Sequence, residues 1–271
     1  MNPSTAAWTI PALGGIECFR ATALRQRYAR HRHEGFAIGV FEDGVGGTEY
    51  RGALACIAPG QIVAMNPDEA HTGFAADGGA ITYRMFYVTE AAVTMFASVR
   101  RAGFRHVCIP SAHWAGRLRS LHKQLEHGTE RLASDVQALE VLADFFSTFG
   151  ATGAAPPAGR ETKAIARAKE YLRSHYASNV NVQEVAAAVG LSPAYLIRAF
   201  RRSVGMPPYT WLLQLRIDHA RELLAQGREI AGVALEVGFA DQSHLTRRFR
   251  SVTGLTPGQY AAGHYRSRRR T

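Results

Sequence analysis

Cysteine is scarce in this chain. Cys18, Cys56 and Cys108 are an odd number, widely spaced, with no Cys-x-x-Cys among them. Such a set fits reduced thiols serving as small apolar side chains rather than a disulfide scaffold. Long apolar runs are missing too: none approaches the roughly 20 residues that span a bilayer. The N-terminal stretch, with Asn2, Pro3, Trp8 and Pro11, lacks the basic start and apolar segment of a secretory signal. The expectation is a protein that stays in the cytoplasm, with no membrane partner. Nowhere does the sequence set a nucleophile beside a base, offer a glycine-rich phosphate loop or pair two acids, so no enzymatic activity and no cofactor is expected.

Acidic residues are in short supply only at one end. The chain has 271 residues, 32 of them Lys or Arg and 22 Asp or Glu, for a net charge of +10. Residues 1–159 hold 14 of each sign, whereas residues 160–271 hold 18 basic and 8 acidic side chains, so the whole excess sits at the back. A neutral front and a cationic back point to a polyanionic partner for the back alone. Between them lies Gly-Ala-Thr-Gly-Ala-Ala-Pro-Pro-Ala-Gly over residues 150–159, uncharged and rich in Gly and Pro, the composition of a tether. The length allows two cores. The division expected is a domain over 1–150, a linker over 151–159 and a second domain over 160–271.

The back part contains a motif twice. Val182-Gln183-Glu184-Val185-Ala186-Ala187-Ala188-Val189-Gly190-Leu191 returns 48 positions later as Ile230-Ala231-Gly232-Val233-Ala234-Leu235-Glu236-Val237-Gly238-Phe239. After one inserted residue, Leu196, Arg198, Phe200, Arg201, Gly205, Pro208 and Trp211 align with Leu245, Arg247, Phe249, Arg250, Gly254, Pro257 and Tyr260. A segment recurring in this way is one structural unit used twice. An apolar-faced helix, a Gly turn and an Arg-bearing second helix is the pattern of a helix-turn-helix that reads DNA. Gly190 and Gly238 supply the left-handed turn. Ser192 and Asp241 are N-caps for the second helix, with Pro193 at a first helical position. Leu196 with Phe200, and Leu245 with Phe249, lie four apart and fix the buried face. The opposite face then carries Ala194, Ile197, Arg198 and Arg201 in the first unit, and Gln242, Ser243, Thr246, Arg247 and Arg250 in the second. Arg pairs with guanine, Gln with adenine, and Ala or Thr touches a thymine methyl. Arg201, Arg202, Arg248 and Arg250 suit phosphates or solvent better than bases. A helix over 161–176 precedes the first unit, and a long one over 208–225 joins the two. Arg266, Arg268, Arg269 and Arg270 read as a disordered basic tail.

Residues 160–265 resemble the DNA-binding domain of the AraC/XylS family of bacterial transcription regulators. The resemblance is carried by Ile230, Val233-Ala234-Leu235-Glu236-Val237-Gly238-Phe239, Asp241-Gln242-Ser243-His244-Leu245, Arg247-Arg248-Phe249-Arg250 and Gly254 to Tyr260. It implies an all-α double helix-turn-helix whose readers enter successive major grooves of promoter DNA. It puts Ala194, Ile197, Arg198, Gln242, Ser243, Thr246 and Arg247 on base-reading slots. RNA polymerase is a partner implied in the same way. Ala231-Gly232 departs from the pattern, and the Gly costs that helix roughly 1 kcal/mol relative to Ala.

Residues 16–88 read as short strands, among them 36–41, 46–51, 54–57, 61–65 and 81–88, separated by Asp43-Gly44, Pro59-Gly60, Asn66-Pro67 and Asp77-Gly78-Gly79. That spacing favours an all-β sandwich or small barrel. Helical periodicity follows over 91–101, 112–127 and 132–149, with stripes at Leu118, Leu121, Leu125 and at Leu132, Val136, Leu139, Leu142, Phe146, Phe149. These stripes suit packing on the strands, on each other, or on a second copy in a homodimer. His31-Arg32-His33 puts two imidazoles on one strand face and is similar to the first motif of the cupin barrel; the AraC/XylS sensor domain is cupin-like. The fold expected for 1–150 is therefore a cupin-like β-barrel with helices after it, holding a small-molecule effector. Effector contacts are assigned to His31, His33, His71 and Tyr83, with Phe36, Ile38 and Met85 as apolar wall. The glutamate of the metal-binding pattern is absent: its positions hold Ala37 and Ile38, and Glu42 lies too far on. No metal is assigned, although three histidines can hold zinc or iron; organising the barrel mouth and touching an effector are the other readings. Beside the regulator stand two alternatives, a cupin-type metalloenzyme with a DNA-binding appendage and a non-specific chromosome-binding protein.

Overall fold

In the computed structural model, residues 3–10, 13–14, 16–96, 102–127, 131–150 and 163–269 are described, excluding the side chains of 131–132 and 265–269. Contacts divide the chain into two compact units. Residues 1–27 and 32–155 make the first and 156–265 the second, while Tyr28–His31 groups with the second and 266–271 with the first.

The front of the chain runs through β1 (Ser4–Ile10), β2 (Ile16–Leu24), β3 (Tyr28–His31), β4 (Phe36–Asp43), β5 (Gly46–Tyr50), β6 (Ala53–Ile57), β7 (Ile62–Met65), β8 (His71–Ala75) and β9 (Ile81–Val88). Then come α1 (Glu90–Phe96), β10 (Cys108–Ile109), α2 (Ala112–His127) and α3 (Arg131–Phe149). The Gly and Pro signals at 59–60, 66–67 and 77–79 fall between strands, and that at 43–44 straddles the end of β4. The strands form two sheets, six-stranded in the order β1-β2-β9-β4-β7-β10 and four-stranded in the order β3-β8-β5-β6. Both are open, and this corrects the expected cupin-like barrel. Among the described residues β1 pairs with β2 and β10 with β7, leaving the first sheet with two edges. Closure depends on whether edge strands meet. Strand length and turn spacing are the same in either case, so the sequence pattern does not carry that information.

Register sorts the side chains of the large sheet. Phe36 faces Val88, Ile38 faces Phe86 and Val40 faces Arg84, while Ala37 faces Tyr87, Gly39 faces Met85 and Phe41 faces Tyr83. Cys18 and Phe19 on β2 continue the two faces opposite Phe86 and Met85. The face with Phe36, Ile38, Phe86 and Cys18 forms one core with Leu118 and Leu121 of α2 and Leu142, Phe145 and Phe146 of α3. Each such side chain contributes about 1.5–3 kcal/mol by leaving water. The helix stripes are thus used within their own unit, apart from Val136, which is exposed. Leu132 lies outside the described side chains.

A charged layer lies under α2. Arg84 Nη1 reaches Glu126 at 2.7 Å and Nε lies 3.2 Å from Glu42, which also meets Lys123 at 3.1 Å. The same Nη1 donates to His122 Nδ1 at 3.1 Å. His122 is fully buried between the rings of Trp8 and Phe86. Burial first, and the Arg84 charge second, push its pKa down to about 3. Glu42 is therefore committed to this layer.

The second unit is helical: α4 (Lys163–Ser174), α5 (Val182–Val189), α6 (Pro193–Val204), α7 (Pro208–Ala225), α8 (Ile230–Glu236), α9 (Gln242–Thr253) and α10 (Pro257–Arg269). Ile165, Ala168 and Leu172 bury one face of α4. Helix α7 is covered nearly all round, from Trp211 through Asp218 and again at Ala220 and Leu224, as a central helix must be. Helix α10 extends to Arg269, so Arg266, Arg268 and Arg269, expected in a disordered tail, have helical backbone; Arg270 lies outside the described residues, as does the expected linker 151–159.

Candidate functional site

Each helix-turn-helix is set by its caps. Asn181 accepts the Glu184 amide at 3.0 Å and Glu184 reaches back to the Asn181 amide at 3.4 Å, closing a capping box on α5. Ser192 caps α6 through the Tyr195 amide, with Pro193 in the first turn. Asp241 caps α9 through the His244 amide at 2.7 Å. On α8 the cap is Glu229, whose carboxylate takes the amides of Ala231 at 3.1 Å and Gly232 at 2.8 Å. The amide bond to Gly232, then that to Ala231, hold the Glu229 carboxyl below the usual carboxylate range. The glycine that weakens α8 thus lies inside a capped first turn.

The two turns differ in what they demand. Gly190 has φ +71° and open space where a Cβ would stand. Gly238 has φ +88°, and a Cβ there would lie 2.6 Å from the Ala177 carbonyl oxygen. That close approach is organised by Arg216, 7% exposed on α7. Its guanidinium donates to the carbonyls of Tyr176 at 2.7 Å, Gly238 at 2.6 Å and Ser178 at 2.8 Å. One side chain of the central helix thereby fastens the turn after α4 and the turn of the second motif. Nothing in the repeat signals Arg216, which lies between the two copies.

The reader faces come out as the apolar spacing requires. Leu196 and Phe200 of α6, and Leu245 and Phe249 of α9, are fully buried. Ala194, Ile197, Arg198 and Arg201 are exposed, as are Gln242, Ser243, Arg247 and Arg250, with Thr246 half-buried. Tyr195, 47% exposed beside Ala194, belongs to the same surface; its position directly before Leu196 was the available signal.

Three histidines meet near the end of β3. His31 ends β3, His33 follows two residues later and His71 begins β8, the neighbouring strand. Their ligating ring atoms all lie within 4.8 Å of one another. His31 Nδ1 is 2.7 Å from the Ala29 carbonyl and His71 Nδ1 is 2.9 Å from the Glu69 carbonyl. A carbonyl only accepts, so both Nδ1 atoms carry a proton, and in the neutral ring the lone pair is then on Nε2. Burial lowers the His31 pKa to about 4, which keeps that ring neutral. The His33 ring packs on Tyr87 at 4.6 Å between centroids and on His71 at 4.9 Å.

Tyr83 and Met85 share the sheet face of Tyr87, and Tyr83 packs against Phe19 at 5.8 Å and Phe41 at 5.3 Å. Phe36 and Ile38 do not join them. They sit on the opposite face, in the core against the helices, with Phe36 edge-on to Phe104 and Phe146. Tyr87, Phe19 and Phe41 were missed. The parity of β9 places Tyr87 with Tyr83, and only strand register brings in the other two.

Two family models match these two units. Residues 13–142 match the AraC-like ligand binding domain and residues 185–263 a helix-turn-helix domain. The chain is of the AraC/XylS type. It is 29% identical over 246 residues to the uncharacterized HTH-type transcriptional regulator YbfI of Bacillus subtilis, covering 85% of this chain and 86% of that one. It is 38% identical over 101 residues to the arabinose operon regulatory protein of Escherichia coli, covering 36% of this chain and 35% of that protein. In fold it is similar to ToxT of Vibrio cholerae solved with unsaturated fatty acid bound, with a TM-score of 0.58 and 12% identity over 96% of this chain and 94% of that one. An AraC/XylS-type regulator has an effector-binding front unit and a DNA-reading back unit and is not an enzyme. No helix among the described residues is long and apolar enough to cross a membrane.

Proposed function

We propose that this protein is an effector-controlled transcription regulator that reads promoter DNA with α6 and α9 in two successive major grooves. Residues 1–150 serve as sensor, 151–159 as tether and 160–271 as reader. The observation that carries the reading is the matched exposure of Arg198 and Arg247, one in each repeat, over buried Leu196/Phe200 and Leu245/Phe249 pairs. A solvated helix face has no need of the same residue at the same slot twice, whereas a guanine-reading face does. Ala194, Ile197, Gln242, Ser243 and Thr246 lie toward the bases, and Arg201 and Arg250 toward phosphates. The effector sits on the sheet face of Tyr83, Met85 and Tyr87, beside His31, His33 and His71. It shifts the protein between states by binding them unequally. RNA polymerase and a second copy of the chain are the protein partners, and the place of action is the cytoplasm, where promoter DNA is.

The test is selection of sites from random DNA by the full chain, followed by Arg247→Ala and Arg198→Ala on the selected site. Each substitution should cost about 1–3 kcal/mol and relax preference at one base pair while leaving affinity for random DNA nearly unchanged. An equal loss on random DNA would make these side chains phosphate contacts. Selection that returns no preferred sequence would favour a non-specific DNA-binding protein.

A further inference from the structure

We propose that His31, His33 and His71 bind one divalent transition-metal ion of the zinc class. The set combines three imidazoles, from the end of β3, the segment just after it and the start of β8, with ligating atoms within 4.8 Å of one another. A tetrahedral ion with bonds of about 2.1 Å holds its nitrogens about 3.4 Å apart. Small side-chain rotations close the difference, and the half-buried His33 has the most room to make them.

The two buried rings are already oriented for ligation. The Ala29 and Glu69 carbonyls hold Nδ1 of His31 and His71, and a metal-bound histidine takes the same support on its non-ligating nitrogen. Nε2 is then the donor atom on both. The chemistry of the set selects the ion. Three neutral imidazoles without a carboxylate suit zinc, nickel, copper or ferrous iron and do not suit magnesium or calcium. Three protein ligands leave a fourth position open, and the Tyr87 ring packs at a tilt against His33. An effector carrying a carboxylate, hydroxamate or similar oxygen donor can take that position directly on the ion. Binding of the ion stands on the histidines alone; its service in sensing rests on the sensor reading given above.

The experiment uses the full chain, stripped with a chelator and titrated with Zn(II) in competition with a chromophoric chelator, and separately with Co(II). One equivalent of zinc should bind, and Co(II) should give the intense visible bands of a four-coordinate, nitrogen-ligated site. His33→Ala should weaken zinc about tenfold or more, with thermal melting as a check on folding. X-ray absorption at the zinc edge of the unaltered protein should show three imidazole nitrogens, which decides the question should the variant fail to fold. Absence of stoichiometric zinc or cobalt at micromolar concentration overturns the proposal, and so does equal affinity in His33→Ala with no three-imidazole shell. Affinity for the selected DNA site, measured in parallel, separates the two readings. Failure to bind metal with intact specific DNA binding removes only the ion, and failure of specific DNA binding with metal bound removes only the regulator.

Discussion

Gly190 and Gly238 occupy the same slot in the two repeats, yet the surroundings give them different tolerances. A left-handed residue other than glycine costs roughly 1–2 kcal/mol, and at Gly190 nothing stands where a Cβ would go. At Gly238 the Cβ would strike the Ala177 carbonyl at 2.6 Å, on backbone that cannot move aside cheaply. Gly190→Ala should therefore lower stability by about 1–2 kcal/mol. Gly238→Ala should lower it substantially further, as read by urea unfolding of the full chain; equal losses would mean that the Ala177 contact yields. The sequence shows two equivalent glycines, because pattern encodes φ but not the neighbour across the turn. The exposed faces of α6 and α9 were legible for the converse reason. Leu196, Phe200, Leu245 and Phe249 fix the buried side of two helices, and the remaining side follows from 3.6-residue geometry.

At the level of elements, α5, α7 and α9 were readable in length and position because caps, glycines and apolar spacing all agree there. Strands β1 and β8 were not. Ser4–Ile10 has no alternation to announce it, and its existence depends on pairing with β2. That Phe36 and Ile38, expected in an effector wall, lie in the core against α2 and α3 was hidden for a related reason. Strand β4 is covered on both faces, so apolar content cannot say which parity meets the ligand and which meets α2 and α3. The brace from Arg216 is likewise a tertiary feature, three carbonyls gathered from two segments. Arg216→Met should cost on the order of 3–5 kcal/mol, since it leaves three buried acceptors without their charged donor. Arg216→Lys should recover only part of this, because an ammonium lacks the planar fork. Chemical denaturation checks both, and a loss below about 1 kcal/mol would mean that water replaces the guanidinium.

For the molecule as a whole, the charge division visible in the sequence has a counterpart in acid response. The first unit buries His122 in neutral form against Arg84, with Arg20, Glu126, Glu42 and Lys123 around them. Unfolded, this histidine titrates near its ordinary 6.5; folded, near 3. Between those values the unfolded chain takes up a proton that the folded chain refuses, so stability must fall as pH drops through that window. The expected loss is on the order of 3 kcal/mol by pH 4. His122→Gln, which keeps an acceptor for Arg84 without the titration, should flatten that limb in melts recorded from pH 7 to 4. An unchanged limb in the variant would assign the acid loss to other groups.

The Arg216 brace has a bearing on the DNA as well. A single guanidinium that clasps the turn after α4 and the turn before α9 makes the back unit behave as a fixed caliper rather than as two beads on a string. On the proposed reading, the gap between the two half-sites is then dictated by the protein. A promoter lengthened there by about five base pairs, half a helical turn, would present its second half-site on the far side of the duplex, where no bending of α7 could follow.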